Sequence, residues 1–474
     1  MVAAPAIEQG GTATHLTAAP SERSSLPWPV AIYLICIVVP ISFTLGPMFL
    51  TLVRALLLIM VVPLFIRLLL GHFGRILLID GLFIAHVLWM VVALSVTSPD
   101  QVVTQSGSVG IEFIGGYLIG RAYIRDRATF IGMAKFLVIL VLLSTPFAIY
   151  EARTGRPIIV ETIRQIPGLT SVASVTIEKR MGLERVQFTF AHPIHYGLWC
   201  SVVFSLCLVA LKDIYSLWRR LITATIVMLS GFLALSSGAL LAFVLQLMLI
   251  LWSVIFAGLR WRWWLLIGLF ALVYIVIDLL STRDPLRVFM SYATFSAHNA
   301  YWRGIIFEWG LKNVFGDMAE NIPPAPWFGI GMNSWVRPSF MHSGSMDNFW
   351  LVITVRYGVP AFVFLVLGYA LGLFQIMRRN FDADARLLLL RRAWVFTFLG
   401  LSFTLSTVFV WTNVYSFVFF IFGAGLWLIT AEVGQTPATG TPATEPQSAA
   451  RTSGPRYTRF PAAGVRTRAA AGSA

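Results

Sequence analysis

The sequence predicts an all-α polytopic membrane protein with about twelve transmembrane helices and two long loops on its outer side. The chain has 474 residues, of which 58% are hydrophobic and 12% charged, and its mean hydropathy is +0.79. A soluble domain carries about a quarter charged residues. Apolar runs of about 20 residues, the length that crosses a hydrocarbon core about 30 Å thick, recur along the chain. These runs are separated by connections that are alternately basic and mixed in charge, which is typical of a multi-pass protein.

The apolar runs define the predicted domain organisation. The predicted spans are 28–45, 48–70, 76–96, 107–122, 129–149, 190–211, 218–235, 237–257, 261–281, 349–373, 391–411 and 413–431. They form one membrane domain over residues 27–432. Residues 1–26 and 433–474 are rich in small residues and are predicted to be disordered tails. The first tail has a single basic residue, Arg23, and no cleavage pattern follows it, so we expect the first span to remain as an anchor.

The basic residues predict the orientation of the bundle. With both termini cytoplasmic, every cytoplasmic connection is basic, as the positive-inside rule requires. These connections contain Arg67 and Arg75; Arg121, Arg125 and Arg127; Lys212, Arg219 and Arg220; Arg260 and Arg262; and Arg378, Arg379, Arg386, Arg391 and Arg392. The long loops 150–189 and 282–348 then lie on the outer side. Topology accounts for the net charge of +14, so we do not expect a nucleic-acid partner.

An unpaired charge inside a predicted span is costly, and three of the charged residues there are singled out for this reason. Asp80 lies near the inner surface and is expected to pair with a nearby arginine. Glu112 lies near the outer surface, where it is expected to balance an arginine of the outer loops. Arg54 either extends toward the headgroups or faces an outer cavity.

Both outer loops carry clusters of arginine. The first supplies Arg180 and Arg185, and the second supplies Arg287 and Arg303. A planar guanidinium binds phosphate in a bidentate manner and keeps its charge, so these residues are candidates to bind a phosphate or pyrophosphate. For each of them, a structural salt bridge with an acidic residue of the loops is an open alternative.

Five residues near the ends of the loops are candidates for proton transfer or support. Asp347 and His342 lie just before a span, where either could take a proton from a hydroxyl group. Asp347 and Asn348 are also residues that favour a helix N-terminus, and both roles are compatible. His192 and His195 are spaced to share one helical face, although Pro193 lies between them. No Cys, Asp or Glu cluster joins the two histidines, and we predict no metal site.

Several motifs occur together in a recognisable order. They are YEARTG, RVQFTFAHPIHYG, LALSSGALLAF, YWRGIIFEW, PWFGIGMNSW and HSGSMDNFWLVITVRYGVPAFVF. In this order and spacing they resemble the O-antigen ligase and polymerase superfamily of bacterial envelope proteins, which includes exopolysaccharide polymerases. The resemblance covers about residues 45–430.

The resemblance implies a GT-C-like fold and a metal-independent, inverting glycosyl transfer without a cofactor, at the outer face of the bacterial inner membrane. The implied donor is a glycan on undecaprenyl pyrophosphate, and flippase and chain-length or export components of a polysaccharide pathway are implied partners. Arg303 and Arg185 match the family's loop arginines, with Arg180 and Arg287 as further pyrophosphate ligands. Asp347 or His342 would be the base. The implied supporting residues are His192, His195, Asn348 and Arg356.

Two departures from the family pattern are present, the first bearing on the choice of activity and the second on how the inner part of the site is built. Asp347-Asn348 stands where many ligases have His-Asn and many polymerases have Asp-Asn, which favours a polymerase. Ser236-Ser237-Gly238 stands where members often have Ser-Arg-Gly.

The leading hypothesis is therefore a polymerase that joins lipid-linked repeat units of an exopolysaccharide or O-antigen. The alternatives are a ligase that transfers the glycan to lipid A core or to protein, a polysaccharide transporter or flippase, and a catalytically inactive scaffold. The charge is concentrated at the outer face and no inverted repeat is evident, which argues against a transporter.

Overall fold

The computed structural model describes residues 25–46, 48–175, 179–281, 288 and 297–433, and these residues fold mainly into α-helices. The helices are α1 Trp28–Val38, α2 Leu52–Leu69, α3 Leu78–Thr97, α4 Gly107–Tyr123, α5 Arg127–Thr154, α6 Ile158–Arg164, α7 Pro193–Ser205, α8 Leu217–Phe232, α9 Ser237–Ile255, α10 Arg262–Leu280, α11 Ala297–Phe315, α12 Phe349–Arg378, α13 Ala385–Leu405 and α14 Thr412–Gly423. A π-helical turn, Leu206–Ala210, continues α7, and a 3-10 turn, Leu426–Ile429, follows α14.

The helices are compatible with the predicted all-α, multi-pass membrane protein. Within the described ranges, nine helical segments are long and apolar enough to cross a membrane. A helix is present in each of the twelve predicted spans, but α1, α4 and α8 have 11, 17 and 16 residues, shorter than a full crossing of about 20. The number of spans therefore stays a prediction.

The predicted helix over 28–45 is wrong in its second half. Helix α1 ends at Val38, and Pro40 follows, which cannot donate the backbone hydrogen bond that would continue the helix. The chain instead forms an antiparallel hairpin of β1 Ser42–Leu45 and β2 Met48–Thr51, with a turn at Gly46, whose φ is +60°. Its first strand is fixed to the first long loop, because Ser42 and Thr170 exchange two backbone hydrogen bonds of 2.9 Å.

Helix α13 begins earlier than predicted. The sequence places residues 385–390 in a basic inner connection, whereas the helix starts at Ala385. The carboxylate of Asp384 is the reason: it accepts hydrogen bonds from the backbone amides of Arg386 and Leu387 and also pairs with Arg127. Asp is favoured at a helix N-terminus because it satisfies such amides. Arg391 and Arg392, also predicted in the connection, accordingly lie on the helix.

The three charged residues singled out inside the predicted spans are paired. The Asp80 Oδ1 atom lies 3.7 Å from Nε of Arg121, so the predicted pairing of Asp80 with a nearby arginine is confirmed. The same oxygen also accepts a hydrogen bond from the Tyr117 hydroxyl. Glu112 pairs with Arg54 at 2.7 Å, not with an arginine of the outer loops as predicted. The Arg54 side chain also lines a small cavity, so it faces inward and not toward headgroups.

The packing of α4 against α14 is very close. A Cβ atom on Gly120 would collide with the carbonyl oxygen of Phe420 and lie 2.6 Å from the amide nitrogen of Ala424. A Cβ atom on Gly423 would likewise crowd the backbone of α4, because it would lie 3.1 Å from the Arg121 amide nitrogen. Small residues allow helix backbones to approach closely in a membrane, where the hydrophobic effect does not drive association.

We expect Gly120→Ala to lower the free energy of unfolding by about 1–3 kcal/mol, because the added methyl group must separate the two helices. Thermal unfolding of the detergent-solubilised protein measures the change. Gly81→Ala is the matched control, since a Cβ at Gly81 meets nothing within 4 Å. Equal unfolding temperatures for the two variants would contradict the close packing.

Both the basic connections and the long loops are bonded to the helices. In the basic connections, Arg121 donates to the backbone carbonyls of Phe73 and Arg75. In the described parts of the long loops, Val186 donates to the Leu233 carbonyl, and Met332 donates to the Ser98 hydroxyl at 3.0 Å. The two long loops are therefore packed onto helix termini.

Candidate functional site

A cavity of about 950 Å³ lies between the two long loops and the helix ends beneath them. We call it the main cavity. The first loop supplies Val175, Arg180, Arg185 and His192, and the second supplies one face of α11 and the segment from Ile330 to Asp347. The volume lies near the upper end of the range of about 300–1,000 Å³ that is usual for ligand sites. It can accommodate a ligand of several sugar rings.

Four helices begin at the main cavity. Residues at or just before the N-termini of α7, α9, α12 and α14 line it: His192 and Ile194, Ser236 and Ser237, Asp347, and Trp411. The N-terminus of a helix carries a partial positive charge and amides without intrahelical partners. Four such ends around one cavity favour an anionic ligand.

Two arginines of the first loop are fixed by the break between α8 and α9. Arg180 donates to the carbonyl of Leu235 at 2.7 Å, and Arg185 donates through Nε to the carbonyl of Ala234 at 3.4 Å. Leu235 has a φ of +46°, in the left-handed region that a leucine rarely adopts. Such strain persists where the surroundings enforce it, and it is often found at functional sites. The break thereby holds both guanidinium groups at the cavity wall.

The second loop supplies Arg303 from the middle of α11. Its Nη1 atom is buried and has no hydrogen-bond partner among the described residues. Burial lowers the pKa of Arg303; the nearby Asp347 carboxylate opposes this shift, and Arg180 adds to it. Arg303 therefore interacts electrostatically with a carboxylate and with a second guanidinium.

The arginines of the main cavity are not neutralised by salt bridges in the described part of the chain. The recorded salt bridges involve other residues, and Asp347 is the acidic residue lining the cavity. Burial, together with the charge of Arg180, lowers the pKa of Arg185 to about 10, which still leaves it charged at neutral pH. Of the two roles left open for these arginines, phosphate binding is therefore favoured over a structural salt bridge, because an uncompensated cluster of cations attracts anions.

Asp347 and Asn348 have different positions. The Asn348 side chain accepts a hydrogen bond from the Leu351 amide at 3.1 Å, so Asn348 is the N-cap of α12. Asp347 instead accepts a hydrogen bond from the Ser345 hydroxyl at 2.8 Å and lines the cavity. The capping role predicted for both residues therefore belongs to Asn348, and the Asp347 carboxylate is available to a ligand.

The two histidines of the first loop do not share one face toward a ligand. His192 lines the main cavity as the N-cap of α7, and its Nδ1 accepts a hydrogen bond from the Ile194 amide at 3.2 Å. His195 is buried, and its ring packs edge-on against Trp411 with 4.0 Å between ring centres. Within the described residues, no group of three or more His, Cys, Asp or Glu side chains could hold a metal ion.

His192 presents a donor to the main cavity. Burial, then the charge of Arg185, lowers its pKa to about 4, while the Asp347 carboxylate acts in the opposite direction. His192 is therefore neutral at pH 7. Because Nδ1 accepts a hydrogen bond, the proton of the neutral ring lies on Nε2.

The remaining predicted residues are divided between the cavity and its surroundings. His342 and Arg356 line the main cavity, and His342 is exposed at its rim. Arg287 lies outside the described residues. Among the tryptophans, Trp302 and Trp335 line the cavity, whereas Trp309 packs beneath the loop and Trp327 is exposed. Sequence reasoning did not identify Trp411, whose position between two helices gives no local motif.

Glu151, in the last turn of α5, fixes the segment that carries the cavity residues of the first loop. Its carboxylate is buried and accepts hydrogen bonds from the backbone amides of Gln187 and Phe188, at 2.8 and 3.0 Å. Phe188 has a φ of +54°, so this segment needs such support. Arg185 and His192 lie on either side of it. Glu151 is thus a positioning residue for the cavity.

We expect Glu151→Ala to destabilise the protein by about 1–3 kcal/mol for each buried amide that loses its acceptor, and to weaken anion binding in the cavity. Glu151→Gln retains one acceptor oxygen and should be intermediate. Thermal unfolding and pyrophosphate binding measure the two effects. Glu161→Ala is the control, because Glu161 forms an exposed pair with Arg156 away from the cavity. Wild-type binding by Glu151→Ala would exclude a positioning role.

Comparison with known proteins does not identify a family: no protein-family model matches the chain, and no curated protein matches it.

Proposed function

We propose that this protein is a membrane glycosyltransferase of the polysaccharide polymerase type, which joins oligosaccharide repeat units carried on undecaprenyl pyrophosphate. The observation that carries the proposal is that Arg180, Arg185 and Arg303, none of which forms a salt bridge within the described residues, line one large cavity together with the carboxylate of Asp347. The order of motifs that resembles the O-antigen ligase and polymerase superfamily supports the same reaction class.

The charge of the main cavity suits a pyrophosphate-linked donor. Transfer of a sugar from pyrophosphate leaves negative charge on the departing group, and fixed cations stabilise that charge as it develops. Arg180 and Arg185 are held on backbone carbonyls, so little reorganisation is needed when the donor binds. The N-termini of α7 and α9 add partial positive charge on the same side of the cavity.

The proposed reaction is a single displacement with inversion. The oxygen of an acceptor hydroxyl group forms a bond to the anomeric carbon, and the bond from that carbon to the pyrophosphate oxygen breaks on the opposite face. The pyrophosphate retains the electron pair, and the hydroxyl proton passes to the carboxylate of Asp347. Arg303, which lines the cavity with Asp347 and Arg180, contacts the leaving group in this proposal. His192 donates through Nε2 to a substrate oxygen.

Asp347 is the preferred base because it lines the cavity beside Arg303 and His192, whereas His342 lies exposed at the rim. A ligase that transfers a finished glycan to lipid A core or to protein is the second candidate. It is favoured by one observation, the presence of His342 at the cavity, where it could replace the histidine expected of a ligase. The Asp-Asn pair at 347–348 favours the polymerase.

A polysaccharide transporter or flippase is the alternative from another class. Transporters commonly place their polar sites near the middle of the membrane between inverted repeats. In this protein the large charged cavity lies at the helix ends, formed in part by loops. We also propose, from the positive-inside rule, that the cavity opens on the outer face of the inner membrane and that the termini are cytoplasmic.

Analysis of glycans in cells that lack the protein tests the proposal. We expect single repeat units to accumulate on undecaprenyl pyrophosphate, with no polymer. Long chains accumulating on the lipid would show a ligase instead. Repeat units that remain on the cytoplasmic side would show a transporter, and unchanged polymer would contradict all three functions.

A further inference from the structure

A second cavity, of about 160 Å³, adjoins the main cavity. We call it the small cavity. It lies among the first turns of α2, α4, α12 and α14, and the two cavities share Val352, Arg356, Phe409 and Trp411 in their walls. Its volume is well below the range of about 300–1,000 Å³ typical of complete ligands. It therefore suits one part of a ligand whose remainder occupies the main cavity.

The wall of the small cavity combines hydrogen-bonding groups with aromatic rings. Its polar lining includes Arg54, Gln105, Ser108, Arg356, Tyr357 and Tyr415. Tyr415 is 3% exposed, and its hydroxyl has no hydrogen-bond partner among the described residues. Burying a polar group without a hydrogen-bond partner costs free energy. Such a group in a cavity wall therefore indicates a ligand that supplies the missing hydrogen bond. Hydroxyl groups and an apolar ring face are what a sugar presents to such a wall.

The small cavity also carries one uncompensated positive charge. Glu112 balances Arg54 at 2.7 Å. Arg356 has no recorded salt bridge among the described residues; its recorded side-chain hydrogen bond goes to the sulfur of Met332, at 3.8 Å. The polar contacts of the cavity therefore favour a ligand with one negative charge.

The position of Arg356 is fixed by a break in α12. Gly358 has a φ of +81°, and the following Pro360 lacks an amide hydrogen. The carbonyls that the break frees, those of Val355 and Arg356, accept hydrogen bonds from Ile330 and Gly331 at 2.8 and 3.0 Å. The second outer loop thus holds the backbone of Arg356 between the two cavities.

We propose that the small cavity is a subsite for a single sugar ring that bears a carboxylate, such as a uronic acid, with Arg356 binding the carboxylate and Tyr415 a ring hydroxyl. The inference rests on the proposed function in one respect, that the remainder of the glycan lies in the main cavity. It makes the glycan handled by this protein an acidic one. A guanidinium distinguishes a carboxylate from a neutral hydroxymethyl group by a charge-assisted hydrogen bond.

Binding of monosaccharide glycosides to the full-length protein in detergent tests the subsite. We expect methyl glucuronide to bind about tenfold more tightly than methyl glucoside, the effect of one charge-assisted hydrogen bond. Arg356→Gln should remove this preference, and Arg356→Lys should retain part of it. Tyr415→Phe should weaken both sugars by a similar factor. Calorimetry or ligand-observed NMR measures the affinities, and size-exclusion chromatography checks that each variant is folded.

Either of two outcomes would overturn the inference: equal affinity for the two glycosides, or a preference for the acidic glycoside that survives Arg356→Gln. If Arg303→Ala abolished that surviving preference, the sugar would be placed in the main cavity instead. Binding of inorganic pyrophosphate separates this inference from the proposed function. Pyrophosphate should depend on Arg303 and not on Arg356. A protein that binds methyl glucuronide through Arg356 but does not bind pyrophosphate would support the subsite and contradict the polymerase.

Discussion

Arg303→Ala is expected to reduce polymer synthesis by about 10²- to 10³-fold, the usual cost of removing one group that stabilises a developing negative charge. The Arg303 side chain is half-buried in the wall of the main cavity, where it interacts electrostatically with Asp347 and Arg180. Its charge is thus fixed where the departing pyrophosphate would lie. Arg303→Lys should be intermediate, because an ammonium group keeps the charge but not the bidentate geometry. The amount of polymer formed per unit of purified protein measures the effect.

The matched control for Arg303 is Arg156→Ala. Arg156 also belongs to an outer loop, but its side chain is 66% exposed, pairs with Glu161 and does not line the cavity. We expect the control to form normal polymer. If the Arg303→Ala protein is present in the membrane at wild-type amounts and forms normal polymer, Arg303 is not a pyrophosphate ligand.

Asp347→Asn is expected to lower the rate by about 10²- to 10⁴-fold, the usual contribution of a general base. An amide of nearly the same shape cannot accept the hydroxyl proton. Folding should be unaffected, because the cap of α12 is Asn348 and not Asp347. Single-turnover measurements with lipid-linked repeat units test the prediction, since they separate the chemical step from substrate binding.

Two controls accompany Asp347→Asn. Glu320→Gln changes an exposed acidic residue of the same loop that does not line the cavity, and it should leave the rate unchanged. His342→Gln distinguishes the two candidate bases and should reduce the rate much less than Asp347→Asn. A large loss with His342→Gln and none with Asp347→Asn would assign the base to His342 and favour the ligase.

The sequence predicts the helical bundle well because each helix has its own local signal. An apolar run of sufficient length must form a helix in a bilayer, where each backbone amide needs a partner within the segment. The errors lie at ends that depend on single residues. Pro40 shortens the first helix and Asp384 lengthens another, and neither changes the hydropathy averaged over a span.

The candidate site is partly predictable because the positive-inside rule alone would place few arginines in the two long loops, yet both loops carry clusters of them. Arg180, Arg185, Arg303, Asp347 and His342 were all chosen from the sequence, and the structure brings them to one cavity. The spacing of His192 and His195 does not predict which of the two rings faces the cavity and which is buried. A helix that begins at Pro193 turns one ring to the cavity and buries the other on Trp411.

The features of the site that the sequence does not predict depend on contacts between distant parts of the chain. Glu112 balances Arg54 across 58 positions, and Arg180 is held by a carbonyl 55 positions away. The left-handed conformation of Leu235, which exposes that carbonyl, has no signal in the sequence, because leucine rarely adopts it. The small cavity also escapes sequence reasoning, since its walls come from four helices.

Reconstitution tests the central claim most directly. The purified full-length protein would be placed in liposomes with repeat units linked to undecaprenyl pyrophosphate, in the presence of a chelator, and the products would be separated by length. We predict a ladder of polymer, with one undecaprenyl pyrophosphate released for each linkage formed. Repeat units that stay single, with no undecaprenyl pyrophosphate released, would contradict the account.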